Sequence, residues 1–399
     1  MPGSHHHTST RAASSWALVG LLAALAALRP ACIEESPASG FDTAGMLGNV
    51  ADAVVIPALD DLAEAAAAAS VAVAAWEQSG SPAGLDAARE AWADLADALQ
   101  VAELMQIGPA APSSSAQGGE DRRDLIYSWP TTNPCRVDQE LVEEGYASDT
   151  FFTDNLVNVY GADTLEYLLF HPEGNECAGQ HPINDEGTWD ALSASEIEDR
   201  RAAYASVVAD RIAEEADALA ASWGPGGVFA DQLATAGQEG SIYTTELSGL
   251  NAVFDALFYL ELHTKDAKLG VPLGVVEGCG APPCIDAIES RWADANLAHL
   301  AANLVGFRQL WTGGDGLGFD DLLVSIDQGP LNEELMTALS AADAAVLGHT
   351  GTLAEALADR PEDVQSLYDA VKAVADILKS DLPPLLVLQV PGEAGGDND

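Results

Sequence analysis

Apolar residues recur along most of this chain at steps of three and four. Leu85, Ala88, Trp92, Leu95 and Leu99 form one such stripe, and Tyr204, Val208, Ile212, Leu219 and Trp223 form another. That spacing places each set on a single helix face. Followed through the chain, the pattern predicts helices over roughly 47–77, 83–107, 150–170, 195–223, 243–263, 284–311, 331–347 and 352–380. Helix breakers stand between them: Ser79-Gly80-Ser81-Pro82, Gly108-Pro109, Gly224-Pro225-Gly226-Gly227 and Gly313-Gly314. No run alternates β-branched and polar residues as a half-buried strand would. The expected fold is all-α, built of long antiparallel helices as in up-and-down bundles. An irregular stretch from Pro172 to Gly187 separates an N-terminal bundle, 45–180, from a C-terminal bundle, 188–390, and an acidic tail occupies 391–399. Trp92-Ala93-Asp94 recurs as Trp292-Ala293-Asp294 on what reads as a second long helix.

Charge narrows the partners. The 399 residues include 63 Asp+Glu against 16 Lys+Arg, a formal net charge of −47, while 48% are hydrophobic. The apolar content supports folded cores, and the charge repels nucleic-acid phosphates and anionic bilayers. Cations, neutral molecules and other proteins remain as partners. Residues 1–31 contain no acidic residue, and Arg11 precedes the apolar run Trp16 to Leu28, which is the layout of a secretory signal. Its end, Leu28-Arg29-Pro30-Ala31-Cys32, resembles the lipobox of bacterial lipoproteins. Cys32 is therefore the expected lipid anchor, followed by a linker over 32–44. From Val50 onward the helices carry Asp and Glu, so membrane attachment is expected only through that lipid. Four cysteines then remain for two disulfides in an oxidising compartment. Cys279 and Cys284 flank a short loop that can close locally, leaving Cys135 to pair with Cys177.

Zinc-protease HExxH, GxSxG, phosphate-loop and CxxC signatures are absent. His171 and His181 each precede a proline in the irregular stretch and read as structural. The segment Val159 to Phe170 is more informative. Asp163 and Glu166 lie three apart, so both carboxylates leave one helix face, and Gly161 interrupts the same predicted helix. Asp61 and Glu64 share that spacing, so spacing alone does not make a site.

Several ordered motifs give this segment a context. They are Ala91-Trp92 through Ile107-Gly108-Pro109, Ile126-Tyr127-Ser128-Trp129-Pro130, the Leu165-to-Phe170 run, Lys268-Leu269-Gly270-Val271-Pro272-Leu273-Gly274, and the Glu289-Ser290 helix ending at Trp311-Thr312-Gly313. Together they resemble the imelysin family, also called the insulin-cleaving membrane protease family, over roughly 45 to 390 of the chain. The resemblance implies two helical-bundle domains, export to the periplasm or cell surface, frequent lipid anchoring in the outer membrane, and relatives linked to iron uptake. It also implies a metal site near the domain interface, built on Gly-x-His-x-x-Glu. Gly161 and Glu166 match that motif, whereas Asp163 stands where the family has His.

Carboxylates in place of imidazole suit harder cations. The expected ligand is thus a divalent or ferric ion, with iron, calcium or manganese favoured over zinc. Asp163, Glu166 and Glu289 are the expected ligands, and Asp294 and Asp138 are further candidates. The leading expectation is a non-catalytic, envelope-anchored metal-binding lipoprotein serving iron acquisition, with no catalytic residue assigned. One alternative is a metallopeptidase with Glu166 as general base. Another is a module that binds an envelope protein or peptide in the cleft between bundles, with Trp129 and Trp311 as cleft residues.

Overall fold

A computed structural model describes residues 40–171, 174–392 and 394. The expected leader, the expected lipid anchor at Cys32 and most of the acidic tail lie outside the described residues. Among the described residues the regular elements are helical and there is no strand. No helix among them is long and apolar enough to cross a membrane.

Helix α1, Thr43–Val50, runs into α2, Ile56–Ser79, through a π-helical stretch, Ala51–Val55. Pro57 causes this widening: it has no N–H to offer the Ala53 carbonyl. The backbone shifts to i→i−5 pairing, and Ile56 N donates to Ala51 O. Next comes α3, Pro82–Ala102, whose first turn is capped by the Ser81 hydroxyl accepting from Gly84 N at 3.1 Å. The short α4, Arg122–Ile126, and then α5, Pro134–Glu143, precede α6, Ala162–Phe170. A capping box between Ser193 and Glu196 starts α7, Ala194–Trp223. α8, Glu246–Leu257, leads into a second π-helical stretch, Leu260–Gly270. The remainder is α9, Asn296–Thr312, α10, Phe319–Ser325, α11, Gly329–Gly348, α12, Leu353–Asp359, and α13, Pro361–Ser380.

The apolar stripes become the core. Trp92, Leu95 and Leu99 of α3 and Tyr204, Val208, Ile212, Leu219 and Trp223 of α7 are all buried, and Leu85 is half-buried at the end of its stripe. α2 lies between α3 and α7, with Ala66 and Ala69 buried where the helices approach closely. α3 also packs against α9, while α11 and the second π-helical stretch both pack on α13. By chain order α7 follows the proposed bundle boundary at 180–188, yet it lies along α2 of the first half.

Three predicted helices need correction. The span 150–170 is not continuous: Phe151–Asp154 ends where Asn155 and Leu156 turn extended, a 3-10 turn, Val157–Val159, follows, and extended Tyr160 with Gly161 at φ +99 separates that turn from α6. The span 284–311 is α-helical only from Asn296, after a 3-10 turn, Ile285–Ala287, and turns in which Ser290 and Asp294 have positive φ. Trp292-Ala293-Asp294 therefore lies in a turn while Trp92-Ala93-Asp94 is helical, so the two do not match in conformation. Pro361 divides 352–380 into α12 and α13. Both disulfides, Cys135–Cys177 and Cys279–Cys284, are formed as expected.

Ala66 is fully buried in α2. Ala66→Leu should overpack this seam and lower stability by about 1–3 kcal/mol, read as a fall in the urea midpoint.

Candidate functional site

Both ends of α6 are fixed to α3. Trp92 Nε1 donates to Ala162 O at 2.8 Å, and Arg89 Nε donates to Leu169 O at 2.9 Å. Gly161 caps the N-terminal end with φ +99, and a Cβ there would meet Ser128 Oγ at 3.0 Å and Ile126 O at 3.2 Å. The motif glycine is therefore explained by a tight turn against the 126–128 backbone, in a conformation that other residues rarely adopt.

Asp163 and Glu166 are 3% and 1% exposed. Ser128 Oγ lies 2.8 Å from Asp163 Oδ1 and 2.7 Å from Tyr160 O, so its one proton serves one acceptor at a time. Glu166 Oε1 accepts from Trp292 N at 3.0 Å and Ala293 N at 2.9 Å. Those amides are available because their segment is a turn and not a helix. Asp163 Oδ2 and Glu166 Oε2 are buried with no hydrogen-bond partner. Burial pushes the Asp163 carboxyl up, against the hydrogen bonds from Thr132 and Ser128 that favour its charged form. Burial also pushes Glu166 up, to about 8, over the opposing bonds from Ala293 and Trp292, and repulsion from Asp163 and Glu289 adds to it. Neither acid has a basic side chain as partner.

Glu289 sits in a different electrostatic setting. Its Oε1 accepts from Tyr127 OH at 2.6 Å and Gln100 Nε2 at 3.1 Å and pairs with Lys268 Nζ at 3.1 Å. Its Oε2 lies 3.2 Å from His299 Nδ1. Burial alone would raise this carboxyl; Lys268, His299 and Tyr127 outweigh burial and hold it well below the usual range. Lys268 also reaches Glu103 at 3.3 Å, Asn303 Oδ1 at 2.8 Å and Gln100 Oε1, while Arg123 Nε donates to Glu103 Oε1 at 2.9 Å. Glu103, Glu289, Arg123 and Lys268 thus form a buried cluster with two charges of each sign. Burial works against the Glu103 charge, but Arg123 and Lys268 hold its carboxyl below its ordinary value.

The other expected ligands are not brought here. Asp138 is buried, but it accepts from Tyr167 OH at 2.8 Å and Glu176 N at 2.7 Å in its own cluster, where burial raises it to about 7. Asp294 is exposed at its turn, with φ +54.

The donor chemistry fits a hard cation in kind: two carboxylate oxygens on α6 lack hydrogen-bond partners, while Glu289 Oε2 is already paired with His299 Nδ1. Their atoms are not drawn together. Among the described residues, the one group of three such ligand atoms within 4.8 Å of one another is Cys135, Cys177 and His181. Its sulfurs are spent in a disulfide, so it offers no thiolate. Any cation here would rest on Asp163 and Glu166, with Glu289 and His299 as neighbours.

Sequence reasoning missed Lys268, Glu103, Arg123, Tyr127, Gln100, Asn303 and His299. A signal existed in α9, where His299 and Asn303, four apart, share the buried side with Leu300, Leu304 and Phe307. Polar residues at core positions of an amphipathic helix mark a buried network.

Gly161→Ala should cost about 1–3 kcal/mol, measured by urea unfolding, because the left-handed φ and the Ser128 contact act together. A second outcome follows from Glu166, whose pKa is raised from 4.5 to about 8. The stability contributed by its protonated form is fully present below the unfolded value and is lost as pH rises through the folded one. In metal-free protein Glu166→Gln should therefore gain on wild type between about pH 5 and 8, by up to about 1.4 kcal/mol per pH unit. Parallel urea midpoints across that range would contradict it.

The family model for imelysin matches residues 55–380. The fold is similar to a crystal structure described as an iron-regulated protein A precursor from Parabacteroides distasonis ATCC 8503, with a TM-score of 0.64 at 18% identity, covering 84% of this chain and 93% of that one. It is also similar to an imelysin-like protein from Psychrobacter arcticum 273-4, with a TM-score of 0.59 at 20% identity, covering 88% and 96%. No curated protein matches the chain.

Proposed function

We propose, from the premise that this chain belongs to the imelysin family, that it is an exported, non-catalytic metal-binding protein whose site is centred on Asp163 and Glu166. The observation that carries this reading is the pair of buried carboxyls on α6, each with one oxygen lacking a partner and neither with a basic neighbour to neutralise it. A bound cation would supply that missing charge and take the place of the proton on Glu166. Oxygen donors favour iron, manganese or calcium over zinc. The description of the Parabacteroides distasonis relative as an iron-regulated protein A precursor supports iron acquisition as the setting.

The same burial weighs against the peptidase alternative. Carboxyls only 3% and 1% exposed lie out of reach of a polypeptide substrate. Export by the N-terminal signal, outer-membrane anchoring through a lipid on Cys32, and the division into bundles at 180–188 belong to this proposal as well.

Metal-free mature protein is titrated with ferrous, ferric, manganese and calcium ions by calorimetry, in two buffers of different ionisation enthalpy at pH 7. One tight equivalent is expected, releasing about one proton because Glu166 starts protonated. The Asp163→Asn, Glu166→Gln double variant should lose both the equivalent and the proton. Weak multi-site isotherms identical in wild type and variant would contradict the proposal, since 63 carboxylates supply such a background by themselves.

A further inference from the structure

A cleft of about 550 Å³ opens between the α1–α2 helical run, α3 and the turn after α9. One wall is apolar: Val54 from the π-helical stretch, Pro57 and Ala58 from α2, and Ala98 and Val101 from α3. Asp61, Asp97 and Asp315 stand around it, and no basic residue lines the cleft. The Pro57-induced π turn, which interrupts the helix at the Ala53–Val54 wall, builds one side. The Gly313-Gly314 motif builds the other: both glycines have positive φ, and Asn49 Nδ2 donates to Gly313 O at 2.8 Å and Leu317 O at 3.0 Å. This pins the turn that carries Asp315. Neither Asp61 nor Asp315 forms an ion pair with another described residue.

The combination selects a ligand class. A metal ion gains nothing from an aliphatic wall, a neutral apolar molecule makes no use of the three exposed carboxylates, and an anion is repelled by them. A chain of methylenes between ammonium groups satisfies both surfaces, laying its carbons on the wall while its charges meet the carboxylates. The volume lies in the range usual for small-molecule sites. We infer that this cleft binds an aliphatic di- or polyamine. The cleft shares no lining residue with Asp163, Glu166, Glu289 or His299, and its electrostatic link to that region is Asp97, which feels His299.

The test is calorimetric titration of the mature chain with putrescine and spermidine at 150 mM salt, a concentration that screens diffuse attraction to the acidic surface. One saturable equivalent is expected. Asp61→Asn with Asp315→Asn should weaken it by about tenfold. Ala53→Phe, at an exposed lining position, fills the cleft without changing charge and should also weaken it. Glu333→Gln with Glu334→Gln removes two exposed charges on α11 and should leave affinity unchanged. Circular dichroism confirms that each variant is folded. Binding that falls equally in both charge-removed pairs, that survives Ala53→Phe, or that never saturates would overturn the assignment.

Discussion

A carboxylate taken out of water must find a counter-charge, accept hydrogen bonds enough to hold its charge, or keep its proton. The interior of this protein applies that rule in two ways within one polar region. Glu103 and Glu289 are matched by Arg123 and Lys268 and stay charged. Asp163 and Glu166 have no such match, and burial pushes both carboxyls up. The balanced cluster acts as a fixed charged wall beside two acids that accept hydrogen bonds but have no basic side chain to neutralise them. That asymmetry makes the α6 pair the place where an added cation would change the energy most.

The scaffold that holds this arrangement is largely α3. Its Arg89 and Trp92 fix the two ends of α6, its Gln100 bonds Glu289, and Glu103 follows its last turn. α3 in turn is seated by apolar packing on α2 and α9. Small changes in that packing would therefore move the acidic and basic groups of this region together. The acidic exterior adds a separate, long-range effect by raising the local concentration of cations, although salt screens it beyond about 8–10 Å.

Much of the fold was legible because its elements announce themselves. Stripes such as Trp92-Leu95-Leu99 and caps such as Ser81-Pro82 carry helix type and start without tertiary help. The disulfides followed from counting cysteines. The site was less legible, for physical reasons. Asp163 and Glu166 were visible as a spaced pair, but their isolation from basic groups depends on where Lys268 and Arg123 go, which is a tertiary matter. The turn at 289–294 reads as helix by periodicity, yet its non-helical backbone releases the amides that bind Glu166. Asp138 and Asp294 carry the same residue type as the α6 acid, and only the fold sends one to Tyr167 and the other to solvent.

The most direct measurement is anomalous diffraction from crystals of the mature chain loaded with manganese. The account predicts a peak within bonding distance of Asp163 Oδ2 and Glu166 Oε2, with Lys268 still paired to Glu103 and Glu289. Peaks confined to surface carboxylates, with those two oxygens bonded only to water or to each other, would contradict it.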